Sequence, residues 1–375
     1  MTCGMPLLDP EFLDLTQDLD PAAFWAENER CFGFTPAKPR CALSFSPDDH
    51  WLFEFLDVPS TLDYYRDKSA RDRLHREANQ VLREHVGRAY FDEDTFVHAP
   101  RRIENLFGSE FAYLEGGTPW LQHVTDNPAE FARILDRAEA TDLRTWALPE
   151  AYREECARRE ARGKPRPRLG GGSRGPATVM TSVLSPDTLL YWIYDHSDLI
   201  ARFRDLLAVK MVELNRVLRA WSGNDAPGWF ILDDNCALFS PDLYREFCVP
   251  VLERVLDAFA PPGAVRHQHS DSAMGHLLDL QRGLGVNQAN YGPEVDVALI
   301  REKLPGALIL GHMPPFLLRN GSPEEIAARV EDDFGKAGAT GGLQITTAGS
   351  LAAGTGVGRM RWLMKLVRDR CRYDR

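Results

Sequence analysis

Side chains on a β-strand alternate between its faces, so in the run Ala264-Val265-Arg266-His267-Gln268-His269-Ser270-Asp271 the residues His267, His269 and Asp271 point the same way. Two neutral imidazoles two residues apart offer part of a site for zinc or a similar divalent metal, and a carboxylate beside them can ligate or orient a ring. A third ligand must come from elsewhere. His312, after the apolar run Leu308-Ile309-Leu310-Gly311, and Asp233-Asp234, after Trp229-Phe230-Ile231-Leu232, are the two sources. An apolar strand that turns abruptly acidic favours contact with substrate or metal over decoration. The expected metal ligands are therefore His267, His269 and His312, with Asp233 as the alternative third group. Asp233, Asp234 and Asp271 are the expected catalytic carboxylates, able to orient a ligand or take up a proton.

Other residues are weaker candidates. Arg101 precedes Arg102 after a β-rich run, and Arg174 closes the glycine loop Gly170-Gly171-Gly172-Ser173; a guanidinium at either place can hold a carboxylate or phosphate. Trp120, after Gly116-Gly117-Thr118-Pro119, can wall a substrate pocket, although tryptophan is mostly buried and a core position is the plainer reading. Asp48-Asp49-His50 is an acid and imidazole cluster of the kind that loops usually leave solvated. Gly354-Thr355-Gly356-Val357-Gly358 lacks the spacing of a dinucleotide fingerprint, and no lysine follows a glycine loop as in a P-loop. There is no G-x-S-x-G elbow and no cysteine with an evident histidine partner, which leaves nucleophilic hydrolase chemistry unsupported.

The elements that must position these residues alternate short β-rich runs with longer amphipathic stretches, the pattern of a parallel sheet with crossover helices. Eight strands are expected: Cys41–Ser46, Thr95–Ala99, Thr178–Leu184, Trp229–Asp233, Ala264–His269, Val286–Asn290, Ala307–Leu310 and Leu343–Thr347. Eight strand and helix units imply an α/β fold, a (β/α)₈ TIM barrel with an N-terminal extension over 1–40, the barrel over 41–375 and a long insertion at 100–175. Ser185-Pro186-Asp187, Ser240-Pro241-Asp242 and Ser322-Pro323-Glu324-Glu325 mark helix starts, each with a capping hydroxyl, proline at the first helical position and acids in the first turn. A helical run is expected from Asn127 to Arg162, its charges alternating in sign as on a solvent-facing surface. Arg162–Pro176 reads as an exposed connector or lid.

Composition bounds the partners. In 375 residues, 44 basic against 55 acidic side chains leave a charge of −11, which opposes attraction to nucleic acid or anionic membranes. Hydrophobic residues at 44% and charged residues at 26% are ordinary globular values. No apolar run approaches a membrane span and the N-terminus has no basic leader. Seven scattered cysteines (Cys3, Cys31, Cys41, Cys156, Cys236, Cys248, Cys371), none spaced C-x-x-C, suggest neither a disulfide framework nor a Cys₄ zinc site. A cytoplasmic protein with a small-molecule substrate is expected, and a homodimer is the default assembly.

The strand ends resemble those of the uroporphyrinogen decarboxylase superfamily, which includes the decarboxylase and zinc-dependent methyltransferases acting on methylated corrinoids. The likeness rests on Asp233-Asp234 followed by Leu238-Phe239-Ser240-Pro241-Asp242-Leu243-Tyr244-Arg245-Glu246-Phe247 and Pro250, on His267-x-His269-Ser270-Asp271, on Gly311-His312-Met313-Pro314-Pro315, and on Gly321-Ser322-Pro323-Glu324-Glu325-Ile326. It implies a (β/α)₈ barrel with its site at the carboxyl ends of the strands, a zinc-like metal, and a corrinoid as substrate or carrier, brought by a corrinoid protein. The methyltransferases' first zinc ligand falls on His267 and their second, a cysteine, on His269. Their third, also a cysteine, falls around Ala348-Gly349-Ser350, where this chain has none. Imidazole in place of thiolate makes a harder site, which argues against a coenzyme M thiol as acceptor. The decarboxylases' arginine-rich N-terminal motif is missing, which argues against uroporphyrinogen. The resemblance thus implies a metal-dependent methyltransferase; the alternatives are a cofactor-free decarboxylase or lyase built on Asp233 or Asp234, and a non-catalytic tetrapyrrole- or corrinoid-binding protein.

Overall fold

Nine strands occur among residues 7–373, which the computed structural model describes: β1 (Ala42–Leu43), β2 (Phe111–Ala112), β3 (Trp120–Leu121), β4 (Gly172–Arg174), β5 (Trp229–Leu232), β6 (Arg266–Ser270), β7 (Gln288–Tyr291), β8 (Leu308–Leu310) and β9 (Leu343–Ile345). Cys3 lies outside the described residues. The other six cysteines are buried free thiols, and no described helix is long and apolar enough to cross a membrane. The chain divides into two compact units, one holding the described residues up to Thr95 with Tyr113–Thr118 and the described residues from Asn287, the other Phe96–Ala112 and Pro119–Val286.

The first unit carries parallel strands in the order β1-β9-β8-β7, with Ala42 opposite Gln344, Ile309 opposite Leu343 and Gln288 opposite Leu308. Leu43, Ala289, Ile309, Leu343 and Ile345 are buried, as the covered faces of a parallel sheet require. Ser322 and Glu325 form a reciprocal capping box at the helix Pro323–Asp333, so the start expected there is the one observed. Trp51 stacks on Phe55 at 4.3 Å between ring centroids. The N-terminal helices Pro10–Asp14 and Pro21–Asn28 belong to this unit. Arg361, near the other end of the chain, donates to the carbonyls of Thr16, Leu19 and His85 and so ties three segments together.

In the second unit the parallel order is β4-β5-β6, with Gly172 opposite Phe230, Arg174 opposite Leu232, Phe230 opposite His267 and Leu232 opposite His269. β2 and β3 form a separate antiparallel ribbon. One face of the parallel strands is covered by helices: Trp229, Ile231, Asp233, Gln268 and Ser270 are buried, and Ser173 donates to the sulfur of Met211 in the helix Ser197–Ser222. The helices Pro186–Asp195 and Pro241–Phe247 begin at their expected prolines, with Ser185 and Ser240 accepting from the backbone three residues on.

Two expected strands fail, and one expected helical run is subdivided. Thr178–Leu184 belongs to a helix, Pro176–Leu184, and the third barrel strand lies upstream at Gly172–Arg174. A short apolar run without clear period does not distinguish a buried strand from a buried helix; here proline at the first helical position and the Asp233 carboxylate accepting from the Thr178 N–H decide for the helix. Thr95–Ala99 is irregular, because side-chain carboxylates occupy its backbone donors. The Thr95 N–H goes to Asp72, and those of Val97 and His98 go to Glu155. The run from Asn127 to Arg162 is three helices, Pro128–Ala140, Leu143–Trp146 and Glu150–Glu160. The connector after it is pinned at Arg166, whose guanidinium pairs with Glu160 and covers the Trp221 ring.

Candidate functional site

The side chains that converge lie where β5 and β6 end. His269 leaves β6 on the same face as Leu232 of β5, and the next turn of each strand brings Asp234 and Asp271 beside it. His269 Nε2 is 3.4 Å from Asp234 Oδ1 and 3.5 Å from Asp271 Oδ1, and Asp234 Oδ1 accepts from the Asp271 N–H at 3.2 Å. One ligand atom from each of the three lies within 4.8 Å of the others. Donors about 2.0–2.2 Å from a tetrahedral zinc sit roughly 3.4 Å apart, so the two histidine-to-carboxylate distances fit a divalent metal. The donor set, one imidazole and two carboxylates, suits zinc or a harder ion.

Asp233, next in the chain, does something else. Its carboxylate is fully buried on the helix-facing side, where Oδ1 accepts from the Thr178 N–H at 2.8 Å and Oδ2 from the Tyr244 hydroxyl at 3.0 Å. Burial pushes its pKa up to about 6, against the lowering effect of these hydrogen bonds. Gly175 makes room for it, since a Cβ at that position would fall 2.3 Å from the Asp233 carboxyl carbon. Adjacent acids on a strand face opposite ways, so only Asp234 joins the exposed cluster. Cys236 is buried behind it, hydrogen-bonded to Ser270 and Ser272; burial pushes that thiol up to about 12, leaving no thiolate for nucleophilic work.

Beside Asp234 opens a cleft of about 560 Å³, lined by Trp120, His123, Arg174, Thr181, Ser182 and Asn235 among others. Arg174 Nε lies 3.7 Å from the buried carboxylate of Glu104, and Nη1 reaches Ser182 Oγ at 3.4 Å. Trp120 is 75% exposed on the β2-β3 ribbon, which corrects the core reading. Arg101 is not among the lining residues; it is exposed, its guanidinium 5.0 Å from the Trp146 ring centre. His267 sits one row deeper in β6 with its ring 5.0 Å from that of Phe230.

His312 belongs to the first unit. It is fully buried, with Nδ1 2.7 Å from Arg329 Nη2; burial and the arginine charge push its pKa down to about 4. Nδ1, which accepts from the guanidinium, is not available to a metal. Arg329 also pairs with buried Asp333 at 2.9 Å. In the weaker cluster, Asp48 caps the helix Asp49–Phe55, and Asp49 accepts from Tyr64 and Tyr65. Glu104 and Ser182, which hold Arg174, carried no signal in the sequence, because only the fold brings them to that arginine.

A profile of the family described as uroporphyrinogen decarboxylase (URO-D) matches residues 102–370. Among solved structures, a methyltransferase from Methanosarcina mazei superposes with a TM-score of 0.56 at 15% identity, covering 92% of this chain and 97% of that one. A B12-independent methionine synthase from Shewanella sp. W3-18-1, in complex with selenomethionine, aligns at 12% identity over 89% of this chain and 96% of that one, with a TM-score of 0.39. No curated protein matches the chain. The first likeness shows the fold: this is the α/β, (β/α)₈ class expected from the sequence, with seven parallel strands assigned among the described residues.

Proposed function

The chain belongs to the uroporphyrinogen decarboxylase family, and from that premise we propose that it is a metal-dependent enzyme transferring a methyl group between a small substrate and an acceptor or corrinoid carrier. The observation that carries this reading is the convergence of Asp234, His269 and Asp271 at the strand ends, beside a cleft that contains Arg174 and Trp120. Asp234, His269 and Asp271 would hold the metal, a set that keeps His269 from the expected ligands and replaces His267 and His312 by carboxylates. A divalent ion bound there supplies a Lewis acid that lowers the pKa of a coordinated hydroxyl, thiol or water. Asp234 and Asp271, at 46% and 58% side-chain exposure, can also take a proton from a substrate group presented to them. Arg174 orients an anionic group of the substrate, Trp120 closes over its body, and Asp233 positions the helix Pro176–Leu184 that walls the cleft. The corrinoid protein, the cytoplasmic setting and the homodimer are part of this proposal.

Metal content of the purified protein, measured by elemental mass spectrometry on native protein and on His269→Ala and Asp271→Asn variants, tests it. About one divalent ion per chain, lost in both variants, is the expected result and leads to methyl-transfer assays with methylcorrinoid donors. No bound ion, with no stronger affinity for added zinc in the native protein than in the variants, would overturn it. One observation favours a second reading: Arg174 lies in the same cleft as Asp234, as a decarboxylase needs to hold a substrate carboxylate near an acid. Carbon dioxide release that persists in the presence of a chelator would select that reading.

A further inference from the structure

Parallel strands are normally covered on both faces, yet on the face of β4-β5-β6 away from the helices covering is partial: His267 is buried while its neighbours on β5 are not. There Phe230 is 48% and Leu232 42% exposed, unusual for two large apolar residues in the middle strand. Register and alternation put three rows on this face. The first is Gly172, Phe230 and His267; the second is Arg174, Leu232 and His269; Asp234 and Asp271 follow past the strand ends. The contact between the Phe230 and His267 rings confirms that they share a side. The surface is therefore graded, from an apolar strip through a cation to the oxygen and nitrogen donors.

Gly172 keeps the apolar strip open, because a Cβ there would lie 2.7 Å from the Cβ of Phe230. Arg174 is the one lysine or arginine lining the cleft. Its Nε lies near the Glu104 carboxylate and its Nη1 reaches Ser182, which leaves the second Nη without a partner among the described residues. Strands lie about 4.8 Å apart, so roughly 10 Å separates the backbones at Arg174 and His269. Side chains on one face stand off the sheet rather than along it, so their heads remain about that far apart, and a single ring with substituents at opposite ends matches the separation.

We infer that this face selects a substrate with one flat apolar ring and one anionic group: the ring lies on Phe230 and Leu232, the anion pairs with Arg174, and the opposite substituent is delivered to His269. The placement of the reacting end rests on the metal reading proposed above; the ring and anion subsites do not.

Benzoate serves as the probe, with acetate as the anion lacking a ring and benzyl alcohol as the ring lacking charge. Affinities are measured by isothermal titration calorimetry for native protein, Phe230→Ala, Leu232→Ala, Arg174→Gln and Arg174→Lys, each first checked by circular dichroism. Benzoate is expected to bind native protein about tenfold more tightly than either comparator. Arg174→Gln should abolish its advantage over benzyl alcohol, with partial retention in Arg174→Lys, and Phe230→Ala or Leu232→Ala its advantage over acetate. Equal affinity for the three probes in native protein, or ratios unchanged in folded variants, overturns the inference. A His269→Ala control separates the two claims. Benzoate binding that survives without metal keeps the subsite whatever becomes of the metal; a metal-loaded protein indifferent to benzoate removes the subsite and leaves the metal reading standing.

Discussion

Replacing Asp233 tests whether this buried acid works as a charge or as a hydrogen-bond acceptor. Its pKa of about 6 stands about two units above the usual aspartate value, and each unit corresponds to about 1.4 kcal/mol. Because the folded value is the higher one, the native state binds the proton more tightly than the unfolded state. The contribution of this group to stability is therefore present below pH 4 and is lost as pH rises through 6, a loss of about 3 kcal/mol by pH 7. Asp233→Asn abolishes that loss and keeps an acceptor for the Thr178 N–H, while the Tyr244 hydroxyl must find a new arrangement at a cost of about 1–2 kcal/mol. The net expectation at pH 7 is stability equal to the native protein or greater by about 1 kcal/mol, with the dependence between pH 4 and 6 flattened. Asp233→Ala strands both donors and should fall at least about 2 kcal/mol below the asparagine variant. Urea unfolding followed by tryptophan fluorescence at pH 5 and pH 7 reads these differences as midpoint shifts. If Asp233→Asn is as damaging as Asp233→Ala, the carboxylate charge itself holds the helix, and a role as hydrogen-bond acceptor alone is refuted.

Other expectations follow from single contacts. Gly175→Ala drives a Cβ into the Asp233 carboxyl group and should cost about 3 kcal/mol, seen as a lowered melting temperature; a neutral result would mean that β4 shifts freely. Trp120→Ala, at a residue 75% exposed, should change stability by less than about 0.5 kcal/mol while weakening any ligand that fills the cleft; a large loss of stability would restore the core reading. The His312 ring should stay neutral down to about pH 4 by NMR titration. Since the unfolded chain takes up that proton near pH 6.5, this group withdraws stability as pH falls from about 6.5 to 4. Asp333, raised to about 6 by burial, acts in the opposite sense over pH 6 to 4, so an Asp333→Asn variant should lose stability with acid more steeply than the native protein.

Local chemistry was legible where a residue type has one structural use. Ser-Pro-acid at three places became three capped helix starts, because proline and a hydroxyl acceptor suit little else. Apolar runs followed by acids or histidines became β5, β6 and β8. Thr178–Leu184 misled because a fully buried helix shows no polar face from which to read a period, and Thr95–Ala99 because distant carboxylates claimed its backbone. At the site, the H-x-H-x-D run led to His269 and Asp271, and the acidic strand end to Asp234. The division of labour between Asp233 and Asp234 was hidden, since it turns on which face of β5 meets the helices, and Trp-Phe-Ile-Leu is apolar on both. For the same reason nothing in that tetrapeptide distinguished exposed Phe230 and Leu232 from buried Trp229 and Ile231.

The first unit is made from the two ends of the chain, and Arg361 joins segments more than 270 residues apart. During synthesis on the ribosome its opening helices emerge early and wait without their partners, while the second unit is complete once Val286 has left the exit tunnel. Loop closure over such separations is slow, and unpaired apolar segments are open to aggregation meanwhile. A chain stopped near residue 286 would still contain the whole nascent second unit but only half of the first, so the burden on chaperones falls on the residues up to Thr95, and codon changes that alter the pace of translation from Asn287 onward should alter yield more than equal changes in the middle.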